Sequence, residues 1–149
     1  MHANPVDNME LPDSFAVLIF AGLQLLIPQN DIFSLEPTID MTPAALSIGG
    51  VGQLQQSNQA YALYALSAEL TLLNSCPESY RIAVLMKNVN PVYGVLCEQI
   101  DTIKRDQLSI HPVPAAMRRE NSPLLALALV GEEVRYISSA NALSRLLSH

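Results

Sequence analysis

The chain has 149 residues, half of them hydrophobic and only 15% charged, which is enough apolar material for one substantial core or two small ones. Its formal charge of −6 is unevenly spread, with eight acids and no Lys or Arg before Arg81 and all eight bases from Arg81 onward. A chain so poor in clustered Lys and Arg is excluded as a phosphate-backbone binder, so nucleic acid is not an expected partner.

The opening segment contains Asp7, Glu10 and Asp13 and no base, which is not the pattern of a secretory leader. Residues 1–13 are expected to form a flexible N-terminal tail and 14–149 a single domain. The longest apolar stretch, Phe15 to Ile27, is interrupted by Gly22 and Gln24 and falls short of the roughly 20 residues of a spanning helix. No membrane insertion is expected, and the composition fits a cytoplasmic protein. The two cysteines, Cys76 and Cys97, lack C-x-x-C spacing and imply neither a zinc site nor a disulfide framework.

Phe15–Phe20 and Leu23–Ile27 read as two strands around Ala21-Gly22, where glycine supplies the positive φ of a tight hairpin. From Thr38 to Asn58 the chain is rich in Gly, Gln and Ser and reads as loop, with one further strand around Val51 to Leu54. Tyr61 to Ala65 reads as a strand leading into a short helix, because Leu66, Leu70 and Leu73 share one helical face; that helix is expected to end at Asn74. Three strands follow, Arg81–Met86, Val92–Cys97 and Gln99–Ile103, the first two joined by Asn88-Val89-Asn90-Pro91. After the proline-interrupted Ile110 to Pro114, a hairpin with Gly131-Glu132 at its turn joins Leu124–Val130 to Val134–Ile137. Ser138 or Ser139 then caps a terminal helix carrying Leu143, Leu146 and Leu147 on one face. Many short strands joined by Gly, Pro and Asn turns define an all-β barrel or sandwich.

Candidate chemistry is sparse. Gly49-Gly50-Val51-Gly52 is not a phosphate loop, since no lysine precedes residue 87, and it lacks the third glycine of a dinucleotide fingerprint. No cofactor is expected. His2, His111 and His149 stand alone, without a second ligand at metal spacing, so no metal is expected either. Glu132-Glu133 point to opposite faces of a strand and cannot act as a catalytic pair. Cys97 beside Glu98 could be a nucleophile with His111 as base, but Cys97 continues a run that is apolar on both faces, the mark of a core thiol. Arg118-Arg119-Glu120 is either a docking patch for an acidic partner or a solvated loop. No catalytic residue is assigned.

The strand Ile82–Met86, the glycine-centred strand Tyr93-Gly94-Val95-Leu96, and Glu98, Ile100 and Ile103 after it come in an order that resembles the CheW-like family. That family comprises the chemotaxis coupling protein CheW and the related regulatory domain of the kinase CheA. The later hairpin, the terminal Leu-Leu helix and the opening hairpin from Phe15 to Glu36 extend the resemblance over nearly the whole chain. It implies two small five-stranded, SH3-like barrels packed over a shared core, with a short C-terminal helix. It also implies a non-catalytic adaptor of a chemosensory or twitching-motility pathway. The implied partners are a histidine kinase of the CheA type and a methyl-accepting receptor, and the implied protein-binding residues are Gln55, Gln56, Gly94, Ile100 and Ile103. Gln53-Leu54-Gln55-Gln56-Ser57-Asn58 stands where the family has an Asn-Leu-Arg-Gly-like segment, so the family's receptor-facing arginine and its glycine are missing. An alternative from another class is a small-ligand sensor with a pocket between the barrels lined by Tyr61, Tyr64 and Tyr93.

Overall fold

A computed structural model describes residues 12–43, 50–120 and 122–147. Among these residues eleven strands form two antiparallel-dominated sheets. The first contains β1 (Ser14–Phe20), β2 (Leu23–Pro28), β8 (Gln99–Lys104), β9 (Ser109–His111), β10 (Ala126–Val130) and β11 (Glu133–Ile137), in the order β8-β1-β2-β11-β10-β9. The second contains β3 (Ile32–Pro37), β4 (Gly52–Gln56), β5 (Gln59–Tyr64), β6 (Ile82–Met86) and β7 (Tyr93–Cys97), in the order β3-β6-β7-β5-β4. The chain ends in α1 (Ala140–Ser144) and a single 3-10 turn, Arg145–Leu147.

Both sheets curl closed by the same device. In the first, the outermost strands β8 and β9 are consecutive in the chain and separated only by the 3-10 turn Arg105–Gln107 and Leu108, so the sheet's two edges meet there. Counting β8 and β9 as two arms of one bent strand, this is a five-stranded barrel. In the second, the 3-10 turn Thr38–Asp40 follows β3, and Thr42 then exchanges two backbone hydrogen bonds with Gln53 of β4, both 2.9 Å. The fold is therefore the expected all-β pair of small barrels with a short terminal helix.

Strands apolar on both faces explain how the barrels join. In β1, Phe15 and Val17 enter a core inside the first barrel with Leu26, Ile103, Ala126, Ala128 and Ile137. Their alternating neighbours Ala16, Leu18 and Phe20 enter a larger core with Leu63, Val84, Leu85 and Leu96 of the second barrel. β2 divides the same way, Leu26 facing one core and Leu25 and Ile27 the other. Such doubly buried strands read as continuous apolar runs.

The hairpin turns are formed as their residues require: Ala21 and Gly22 have φ of 51° and 78°, and Gly131 has φ of 62°. Ser139 caps α1, its hydroxyl accepting from Ala142 N at 3.0 Å. Of the expected tail, residues 1–11 lie outside the described part, and the Asp13 carbonyl accepts a bond from Arg105 N at 2.9 Å. Gly49 also lies outside it.

The expected helix over Leu66 to Asn74 is not formed. Leu66 pairs across an antiparallel bridge with Leu72, and Leu70 has φ of 59°, incompatible with a helix. The Ser67 hydroxyl holds this compact turn, accepting from Glu69 N and Thr71 N at 3.2 Å each. A side chain that bonds nearby backbone amides competes directly with helix formation. The strands β3 and β9 were not among those read from the sequence.

Gly94 lies buried in β7, and a β-carbon there would stand 2.6 Å from Leu63 Cδ2 and 2.9 Å from Leu85 Cδ2. The glycine admits close packing of β5 and β6 side chains over the strand. Gly94→Val is expected to lower unfolding free energy by about 1–3 kcal/mol through overpacking, measured by urea denaturation; wild-type stability would refute this account.

Candidate functional site

A surface strip on β3 stands out because it is apolar and exposed. Phe33 is 43% exposed, Leu35 46% and Ile39, in the turn just beyond, 88%. Three of the six large exposed hydrophobics among the described residues thus fall within seven consecutive positions. Strand alternation sets the pattern: Ser34 and Glu36 are half-buried while Phe33, Leu35 and Pro37 face outward. A register shift against β6 between Ile32 and Ser34 decides which set faces out.

The strip has a firm base. The Phe33 ring stacks on the buried Tyr61 ring, with centroids 6.1 Å apart and planes at 12°. Thr38 N donates to Arg81 O at 3.0 Å. Glu36 accepts a hydrogen bond from Gln56 Nε2, which ties the tip of the β4–β5 hairpin to β3. Lys87 N donates to Asp31 O at 2.8 Å, so Arg81 and Lys87 stand at the two ends of the strip and Glu36 and Asp40 along it. The arrangement is an apolar ridge with charges of both signs at its margins, fitted to a partner with apolar side chains.

The sequence-expected binding residues do not form one patch. Exposed Gln55 and half-buried Gln56 lie at the β4–β5 tip beside the strip. Gly94 is enclosed at the centre of the second sheet. Ile100 and Ile103 lie on β8 of the other sheet, Ile100 packed against the larger core and Ile103, 8% exposed, inside the first barrel. Phe33, Leu35 and Ile39 were not among the expected residues. Their signal was the alternation Phe33-Ser34-Leu35-Glu36, which marks a strand without saying which face turns outward.

The tyrosines expected to line a pocket separate. Tyr64 and Tyr93 border a cavity of about 570 Å³, their rings edge to face at 6.3 Å, whereas Tyr61 is turned inward beneath Phe33. That cavity lies between the second barrel and the end of the C-terminal helix, and no strand of the first barrel contributes to its lining. The Arg118 guanidinium is held by its own loop, Nε donating to Val113 O at 3.0 Å, while Arg119 is exposed.

Cys97 is fully buried, and burial, with a further push from Glu98, raises its thiol from 9.0 to about 12. His111 is on β9 of the other sheet, exposed and bonded to Ser109 Oγ at 2.8 Å. Cys97 is thus a core thiol. Among the described residues no three His, Cys, Asp or Glu side chains gather at metal-binding range.

A pair of closed five-stranded barrels sharing one core, with a short helix sealing the end, defines the class of small two-barrel β proteins. Among solved structures the chain is similar to the scaffolding protein TtCheW from Thermoanaerobacter tengcongensis, with a TM-score of 0.69, 11% sequence identity, and coverage of 89% of this chain and 92% of that one. The chain has a divergent CheW-like fold. No family model and no curated protein sequence matches it.

The buried thiol makes a prediction for alkaline pH. The unfolded chain's thiol ionises near 9.0 and the folded one at about 12, so between these values the unfolded state is favoured by its lost proton. Stability should fall as pH rises through that window, by about 1.4 kcal/mol per pH unit. Tyr93, raised above 10.0 by burial and by Asp31, adds to the loss at the upper end. Urea unfolding at about pH 8 and about pH 10 measures the slope, which Cys97→Ala should flatten. Equal slopes in the two proteins would contradict the assignment.

Proposed function

We propose that this chain is a non-catalytic adaptor of a chemosensory or twitching-motility pathway, working in the cytoplasm. It docks the regulatory domain of a CheA-type histidine kinase through the β3 strip. The observation that carries this reading is the cluster of Phe33, Leu35 and Ile39, exposed on a rigid strand and the turn that follows it. Large apolar side chains grouped on a surface mark an interaction site, and rigid presentation lowers the entropic cost of binding. The CheW-like fold supports the same reading, since the similar solved chain is a scaffolding protein.

Gln55 and Gln56, at the edge of the strip, occupy the segment where the family has its receptor-facing arginine. A polar, uncharged tip there changes what a receptor meets. A methyl-accepting receptor is therefore a second partner, engaged without that arginine. No helix among the described residues is long and apolar enough to cross a membrane, so in this reading membrane attachment comes through the partners.

The test is a titration calorimetry series with the regulatory domain of the CheA-type kinase from the same cell. Leu35→Ser and Ile39→Asp should each weaken binding about tenfold or more while leaving unfolding free energy within about 0.5 kcal/mol of wild type. No interaction with the wild-type chain would sink the kinase reading, and wild-type affinity in both variants would move the contact away from β3.

A further inference from the structure

We infer that the cavity beneath the end of the C-terminal helix is a binding site for a small, uncharged, largely apolar molecule carrying one hydrogen-bonding group. This inference is independent of the adaptor reading, because the cavity is lined by different residues from the β3 strip.

The cavity exists because of a choice of side chains on β5. Tyr61 and Leu63 point into the core, so Ala60, Ala62 and Tyr64 form the strand's outer face. Alanine is depleted in strands, and the outer face of a small barrel ordinarily carries longer polar side chains. Two successive outward alanines leave a hollow that such residues would fill. The chain then walls it, with Asn90, Pro91 and Val92 on one side and Leu147 of the final turn on another. The back wall is rigid: the Tyr93 hydroxyl donates to Ala140 O at 2.6 Å, and its ring meets Tyr64 edge to face. At about 570 Å³ the space falls in the range of clefts that hold small ligands, about 300–1,000 Å³.

The lining also sets the ligand's chemistry. Among the described residues that border the cavity there is no Asp, Glu, Lys or Arg, so a charged group entering it would lose water without gaining a counter-charge from them. A charged ligand is thereby rejected. The polar groups at the border are neutral, the side-chain amides of Gln53 and Asn90 among them, and an amide can both donate to and accept from a ligand. Gln53 stands directly across the strand pair from Ala62, which places its amide beside the hollow's floor. The site thus fits an aromatic or branched apolar body with one amide-, amine- or hydroxyl-like end.

The neutral fluorophore phenylnaphthylamine matches this description, and its sulfonated counterpart, anilinonaphthalene sulfonate, carries nearly the same body with a negative charge. The chain has no Trp, so probe emission can be titrated with little protein background. Phenylnaphthylamine should bind saturably at one site per chain, and the sulfonated probe about tenfold more weakly or worse. Ala62→Leu, which fills the hollow from an outward position, should weaken the neutral probe about tenfold with an unchanged melting temperature. Ala60→Leu serves the same purpose if the first variant melts lower. Leu35→Ser, at a strip residue that does not line the cavity, should leave probe binding unaltered. Equal binding of both probes, absence of saturable binding, undiminished binding in the folded alanine variants, or loss in Leu35→Ser instead would each overturn the inference.

Discussion

The whole architecture depends on strands that bury both faces. β1 and β2 belong to the first barrel by hydrogen bonding, yet every second side chain leaves it for the core of the other. Burying one large apolar side chain is worth about 1.5–3 kcal/mol, and Leu18, Phe20, Leu25 and Ile27 all make that contribution across the junction. A barrel of five short strands has too little interior to stand alone with comfort. Merging the second barrel's interior with the junction gives one large core, so the two barrels stabilise each other and their relative position is set by packing.

That rigidity decides where a partner can bind. Faces spent on the shared core, such as those of β6, offer nothing to a protein partner: Ala83 to Met86 are buried throughout. What remains is the seam where each sheet closes on itself. In the second barrel the seam is joined by two backbone bonds at Thr42 and Gln53, by the Glu36–Gln56 bond and by the Phe33–Tyr61 stack. The strip of Phe33, Leu35 and Ile39 lies along that seam, at the place where the chain has an edge strand and unspent apolar surface together.

Much of the fold was legible because its signals are local. Gly22 and Gly131 marked hairpins through their backbone freedom, Ser139 marked a helix start, and unbroken apolar runs marked the doubly buried strands. The resemblance supplied the pairing of those strands into two barrels, which no local pattern contains. The misread segment shows the limit of periodicity: Leu66, Leu70 and Leu73 do turn toward the core, as a helical face would, but through a tight turn pinned by Ser67. Spacing reports which residues are buried, and several backbones satisfy the same spacing. The binding strip was less legible for a related reason. Alternation in β3 is plain, but its orientation follows from a register shift against β6, a strand nearly fifty residues away.

The C-terminal helix shows how far non-local contacts govern this chain. Five residues of α-helix cannot hold together in water on their own, since nucleation is costly and few backbone bonds repay it. Here three separate parts of the molecule converge on its first turn. Asp31, in the link between β2 and β3, accepts from Ala140 N at 2.9 Å; Tyr93 of the second barrel donates to Ala140 O at 2.6 Å; and Ser139, leaving the first barrel's last strand, caps the first turn. Ala140, Ala142 and Leu143 then complete the larger core. Each contact presupposes that the linker and both barrels are already in register, so the helix is a consequence of their assembly. By closing over β5 and β7 it also creates the cavity's outer wall, which ties the existence of that site to the joining of the two barrels.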